Sequence, residues 1–150
     1  MIERVEGDRR RFMPLLLLAD EQPEMVERYL NRGDLWICTQ DAGASAIGEC
    51  LVTDEGAGVL EIKSLAVDPV YQGKGYGRAL IEHVTHYYAG RFHTLQVGTG
   101  DSPLTVPFYK RCGFTRARTV PRFFLENYDH PIIEAGVQLV DMVYLSRPLR

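Results

Sequence analysis

Along the chain the apolar positions change period several times, and each change marks an element. Met1 to Val5 alternates enough for a short opening strand. Asp8 is placed to cap a helix running to about Ala19, with Phe12, Leu15, Leu16 and Leu18 on its apolar side. Gln22-Pro23 breaks that helix, and Pro23 in a first turn starts a second one carrying Met25, Val26, Tyr29 and Leu30 and ended by Gly33. Leu35 to Thr39 and Ala46 to Thr53 read as a hairpin around the turn Asp41-Ala42-Gly43. Val59 to Val67 is the next strand, after the turn Asp54-Glu55-Gly56-Ala57-Gly58. A helical period then sets in at Leu80, Ile81, Val84 and Tyr88 and ends near Ala89-Gly90. Thr94 to Val97 is a strand, Gly98 to Pro103 a loop, and Leu104 to Arg111 a short helix stopped by Gly113. From Phe114 the pattern predicts a strand, a long loop over Glu126 to Gly136, and a last strand from Val137 to Leu145. This order of strands and helices predicts an α+β fold with a mixed sheet.

The stretch between the strand and the long helix carries the chemistry. Asp68-Pro69 ends the strand, and Gln72-Gly73-Lys74-Gly75-Tyr76-Gly77 leads into the helix. Glycines let backbone N–H groups turn toward a ligand with no Cβ in the way. The first N–H groups of the helix have no intrahelical acceptor and lie at the positive end of its dipole. A phosphate or pyrophosphate is the natural guest. Neither common nucleotide fingerprint fits: G-x-G-x-x-G fails because its sixth position is Arg78, and the P-loop fails because Lys74 is followed by Gly75.

What the stretch matches is Q/R-x-x-G-x-G/A, as Gln72 to Gly77, flanked by Leu65-Ala66-Val67-Asp68-Pro69 and Arg78-Ala79-Leu80-Ile81. It resembles the acyl-CoA signature of the GCN5-related N-acetyltransferase (GNAT) superfamily. Leu95-Gln96-Val97-Gly98-Thr99 and Phe108-Tyr109-Lys110-Arg111-Cys112-Gly113-Phe114 resemble the family's next strand and helix end. The likeness covers about Leu35 to Phe114. It implies a mostly antiparallel sheet whose central parallel strand pair splays open, with helices on both faces. It also implies acetyl-CoA as acyl donor and direct transfer to an amine. The expected cofactor contacts are Leu65, Ala66 and Val67 on the strand and Gln72, Gly73, Lys74, Gly75, Tyr76, Gly77 and Arg78 in the turn. The family often has an Asn seven residues before the Tyr, where it contacts the CoA arm; here that position is Ser102, with Asp101 beside it, and Ser102 and Tyr109 complete the cofactor contacts the resemblance implies. Pro107 is expected to kink the short helix just before Tyr109.

Acetyl transfer from a thioester needs a deprotonated amine, donors for the oxyanion and an acid for the departing thiolate. A thiol titrates near ~8.5 and a phenol near ~10, so Tyr109 stays protonated at neutral pH and suits the acid. Its bland reading is packing beside Phe108 and Phe114. Glu61, eleven residues before Gln72, stands where the histone-acetylating branch of the family has its base; the alternative is a salt bridge with Lys63. Strict alternation puts Glu61, Lys63, Leu65 and Val67 on one face and Ile62, Ser64 and Ala66 on the other. The backbone N–H of Leu65 or Val67 suits the oxyanion. Tyr29, Tyr128 and His130 are expected to shape the acceptor pocket, and Trp36 either joins them or fills core. Cys112 reads as a small buried hydrophobe.

Composition adds bounds. One domain over 1–150 suits the length. A net charge of −3 argues against nucleic acid as a partner. Cys38, Cys50 and Cys112 have no C-x-x-C spacing, which leaves no disulfide framework. His83 and His86 fall off the apolar helix face and read as solvated surface, so no metal site is expected. The run Met13 to Ala19 is too short to span a bilayer. It follows Arg9-Arg10-Arg11, yet no small-residue cleavage site comes after it, which points to a cytoplasmic protein. The expected acceptor is a small-molecule amine. A peptide or protein amine, an acyl-CoA sensor module without turnover and a nucleotide-binding protein remain alternatives, and a homodimer through the last strands stays open.

Overall fold

A computed structural model describes residues 1–149. The strands β1 (Ile2–Arg4), β2 (Asp34–Cys38), β3 (Gly48–Asp54), β4 (Val59–Val67), β5 (Thr94–Gly100), β6 (Thr115–Val120) and β9 (Met142–Pro148) form one sheet in the order β1-β2-β3-β4-β5-β9-β6. Among the described residues only β4 and β5 run parallel, as expected of a mixed α+β sheet. A separate hairpin joins β7 (Ile133–Glu134) to β8 (Val137–Gln138). The helices α1 (Met13–Ala19) and α2 (Pro23–Glu27) cover one face. The helices α3 (Tyr76–Tyr88) and α4 (Thr105–Arg111) cover the other. A short α5 (Phe123–Asn127) lies in the segment between β6 and β9.

Helix α3 buries Leu80, Ile81, Val84 and Tyr88, the face its period predicts, against Cys50, Val52, Ile62 and Val97 of the sheet. The Tyr88 hydroxyl accepts from Trp36 Nε1 at 3.1 Å and donates to Asp34, so Trp36 is a core residue here. His83 is half-buried and packs edge-on against Trp36 at 4.6 Å between centroids, which corrects its reading as solvated surface. Burial, with His86 nearby, pushes the His83 imidazole below its usual value.

The N-terminal helices are shorter than the periodicity predicts. Asp8 caps a 3₁₀ turn over Arg9–Phe12, and the α-helix begins only at Met13. Pro14 explains the break, because it has no N–H for Arg10 and its ring would meet that carbonyl. Leu18, expected in the core, is 51 % exposed because it faces the cavity described below. Helix α2 stops at Glu27, yet Met25, Val26, Tyr29 and Leu30 are all buried. Arg9 donates to the carbonyls of Leu30, Arg32 and Gly33, which replaces the missing helical bonds.

The C-terminal half departs further. The predicted loop at Gly98 continues as strand to Gly100, because Gly98, Thr99 and Gly100 pair with Tyr144, Val143 and Met142 of β9. Pro107 does not interrupt α4: it is the third residue of the helix, where an N–H would have no intrahelical acceptor. The predicted loop over Glu126 to Gly136 contains the end of α5 and the start of the β7–β8 hairpin. The last strand starts at Met142 rather than Val137, since Val137 and Gln138 pair back onto β7 and the Asp141 carboxylate turns aside to accept from Arg122 N–H.

Candidate active site

The parallel pair β4/β5 is bonded only from Val59 to Ile62 and from Thr94 to Val97. Beyond that the strands diverge, leaving Lys63 to Val67 and Gly98 to Gly100 without each other as partners. The gap opens into a cavity of about 1020 Å³ that runs from the glycine turn, past Tyr109, to α1, α2 and α5.

At one end of the cavity is the turn. Gly73 and Gly75 have φ of +76° and +91°, a region that other residues enter only under strain. A Cβ on either would meet no atom within 4 Å, so the space before them is open. No N–H from Gly73 to Arg78 donates to a backbone acceptor; the first helical bond belongs to Ala79. Six consecutive donors thus lie without backbone acceptors at the N-terminus of α3, where no side chain caps the helix. The set suits a diphosphate. Gln72 also borders the cavity, and its amide donates to the Val67 carbonyl at 2.9 Å. Arg78 lines the cavity; Lys74 does not, and its ammonium lies 5.7 Å above the Tyr71 ring. An alanine at position 75 would be strained by about 1–2 kcal/mol in the observed conformation. Gly75→Ala is therefore expected to weaken acetyl-CoA binding about tenfold by calorimetry.

Ser102 is not brought to the cavity. Its hydroxyl accepts from the Leu104 and Thr105 N–H groups, capping the start of α4, and donates to Glu134. Leu65, Ala66, Val67, Tyr76 and Gly77 do line it.

Tyr109 lines the cavity, its ring edge-on to Phe108 and Phe114. Burial raises its pKa above the ordinary phenol value, and Cys50 and Glu49 add to the rise. It is held as a neutral O–H, the form an acid needs.

Strand alternation fails at one point. Leu51 pairs with Ser64 while Val52 pairs with Ile62, so Lys63 is an extra residue in a bulge. The bulge inverts the faces, and the expected grouping of Glu61 with Lys63, Leu65 and Val67 is corrected accordingly. Leu60, Ile62 and Leu65 join the core under α3, while Ser64 shares the α1/α2 face with Glu49. Glu61 lines the cavity with both oxygens engaged, one by Lys63 Nζ at 2.6 Å and the other by the Gln96 amide. To accept a proton it must give up one of these donors.

The far wall is built by the segment from Phe123 to Met142. Tyr128 donates to Asp20 at 2.9 Å, Asp129 N–H donates to Gln22 at 3.3 Å, and Arg28 donates to Asn127 at 3.3 Å. Tyr29 and Tyr128 face the cavity. His130 stands outside it, its ring held between Asp129 and Glu21 at 2.7 Å, where it ties the segment to the α1–α2 corner. Those bonds, Asp129 first and Glu21 second, raise its pKa.

Sequence reasoning missed Glu49. It lies on β3 with no exposed surface, accepts from Ser64 Oγ at 2.6 Å through Oε1, and leaves Oε2 without a donor. Burial pushes its carboxyl up to about 8 despite the Ser64 bond. The one sequence signal was a charged residue among the apolar positions Ile47 to Val52. Among the described residues no group of three or more His, Cys, Asp or Glu is placed to hold a metal, and Cys38, Cys50 and Cys112 are free and buried.

This sheet with one splayed parallel pair, a glycine turn feeding the next helix and a tyrosine in the gap define an acyl-CoA-dependent acyltransferase. The family described as Acetyltransferase (GNAT) domain matches residues 31–116. An uncharacterized N-acetyltransferase of Bacillus subtilis, YvbK, is 34% identical over 146 residues, covering 96% of this chain and 93% of that protein. The structure of an IAA acetyltransferase from Bacillus cereus superposes with a TM-score of 0.90 at 32% identity, over 99% of both chains. A GNAT family acetyltransferase from Elizabethkingia anophelis, solved with acetyl-CoA bound, gives 0.91 at 29% identity over 99% and 97%. The chain belongs to the GNAT acetyltransferase family. It is an N-acetyltransferase that takes acetyl-CoA as its acyl donor.

Proposed function

We propose that the acceptor is the primary amine of a small molecule. The observation that carries this is the strapped far wall: three bonds from Asn127, Tyr128 and Asp129, one to Arg28 just after α2 and two to Asp20 and Gln22 in the α1–α2 connection, tie down the acceptor end of the cavity. A peptide needs an open groove through which its chain can pass, and the strap crosses that path. Tyr29, Tyr128 and the half-exposed Leu18 give the acceptor end an apolar lining.

In this reading Gly73, Gly75, Tyr76, Gly77 and Arg78 hold the pyrophosphate, while the unpaired edge of Leu65 to Val67 pairs with the pantetheine amides like an added strand. Gln72 fixes the turn through its bond to Val67. Lys74 contributes charge from outside the cavity. The N–H of Leu65 or Val67 donates to the oxyanion. Tyr109 gives its proton to the departing thiolate. Glu61 holds the cavity wall through Lys63 and Gln96, and it serves as base only through a water or after releasing one of them.

The test is to incubate the protein with acetyl-CoA and a panel of polyamines, aromatic amines, amino acids and short peptides, following free thiol. Thiol release with small amines, lost in Tyr109→Phe, is the expected result. Release with peptides alone would move the acceptor to protein chemistry. Tight CoA binding with no thiol from any amine would make the chain a sensor.

A further inference from the structure

The acid is accounted for by Tyr109, but no side chain described so far takes the amine's proton without first breaking a bond of its own. We propose that Ser64 and Glu49 form a proton relay: Ser64 Oγ receives the proton of the acceptor ammonium and passes its own to Glu49. The inference rests on the acetyl-transfer reading and deepens it.

Four observations carry it. Ser64 lines the cavity, whereas Glu49 lies directly behind it with no exposed surface. Their bond is 2.6 Å long and already aligned, hydroxyl to carboxylate. Glu49 has an oxygen, Oε2, with no donor, so the carboxylate is not consumed by structural bonds. A wholly buried carboxyl with an orphaned oxygen is costly to keep, and packing alone would favour a glutamine or an apolar residue there. The Lys63 bulge makes the arrangement: without the extra residue Ser64 would point to the α3 face, away from Glu49.

The proton count closes. The ammonium loses one proton to Ser64 Oγ, and the Ser64 hydroxyl proton moves to Glu49, leaving a neutral amine, a neutral serine and a protonated Glu49. The amine nitrogen then bonds to the thioester carbon, the carbon–sulfur bond breaks, and the Tyr109 O–H proton goes to sulfur. The second amine proton returns to the Tyr109 oxygen, and Glu49 releases its proton to solvent through Ser64. The groups around Glu49 are Ser64 on β4, Tyr29 after α2, Tyr109 on α4 and Cys50 beside it on β3, with Asp20 beyond Tyr29. None is a cation, so nothing competes to keep the carboxylate charged. Burial places its titration at about 8, within reach of an amine's working range.

The experiment uses the panel amine that wild type acetylates fastest. With Glu49→Gln, kcat is expected to fall about 10²-fold or more while the acetyl-CoA dissociation constant holds. The rise of amine kcat/KM with pH through the Glu49 titration should vanish, a change that a packing role would not produce. Ser64→Ala should lower kcat similarly and remove the same inflection. If Glu49→Gln does not fold, Ser64→Ala decides alone. Folded variants that keep wild-type kcat and the inflection would overturn the relay while leaving acetyl transfer intact. A wild type that acetylates no panel amine would sink the underlying reading instead, and the relay with it.

Discussion

Tyr109→Phe should lower kcat by about 10²–10³-fold and leave acetyl-CoA binding unchanged within about twofold. The phenol oxygen is the one atom removed, and it belongs to a ring that Phe108 and Phe114 hold at 5.1 and 5.5 Å between centroids. Phenylalanine keeps those edge-to-face contacts, so the ring stays in place. Thiolate expulsion loses its proton donor, because burial and the neighbouring Cys50 and Glu49 keep the phenol neutral. Stopped-flow thiol detection gives the rate, and calorimetry with CoA gives the binding control. A kcat within about threefold of wild type would remove Tyr109 from the chemistry.

The second large effect is on stability and comes from Glu49. In the unfolded chain its carboxyl titrates near the ordinary 4.5, and in the fold it is pushed up to about 8 by burial. Below the lower value it is protonated in both states and costs nothing. Between the two values the unfolded chain releases the proton and the folded one keeps it, so stability falls as pH rises. Above the upper value both states are ionised and the loss is complete, at about 3–5 kcal/mol. Glu49→Gln removes this dependence. Urea unfolding at pH 5, 7 and 9 (about those values) should show the variant gaining on wild type step by step. Parallel curves for the two proteins would place Glu49 in a wetter site than its surroundings suggest. The same substitution is thus expected to stabilise the fold at alkaline pH and to slow the reaction, a pairing typical of residues kept for function.

What could be read from the chain alone was whatever depends on neighbours in sequence. Strand β4 runs over Val59–Val67 as its alternation and flanking turns predict, and α3 buries the four residues its period selects. The cradle at Gly73 to Arg78 was also legible, because its donors, its glycines and its helix N-terminus are consecutive. The motif around Tyr109 singled it out, and the fold brings it to the cavity wall.

Tertiary pairing decided the rest. Alternation assumes an unbroken ladder, and the single extra residue at Lys63 turns Ser64 toward Glu49 and away from Ile62; only the register with β3 reveals it. Glu49 reads as an ordinary strand charge until the sheet and helices close over it. Ser102 could be a cofactor contact on spacing, but α4 uses its hydroxyl as a cap. His130 reads as a pocket residue on position, yet Glu21, more than a hundred residues earlier, holds it outside the wall. Periodicity records which side of a local element is apolar. It does not record which distant carboxylate, hydroxyl or strand edge will be waiting there, because those contacts form between segments whose sequences carry no mark of each other.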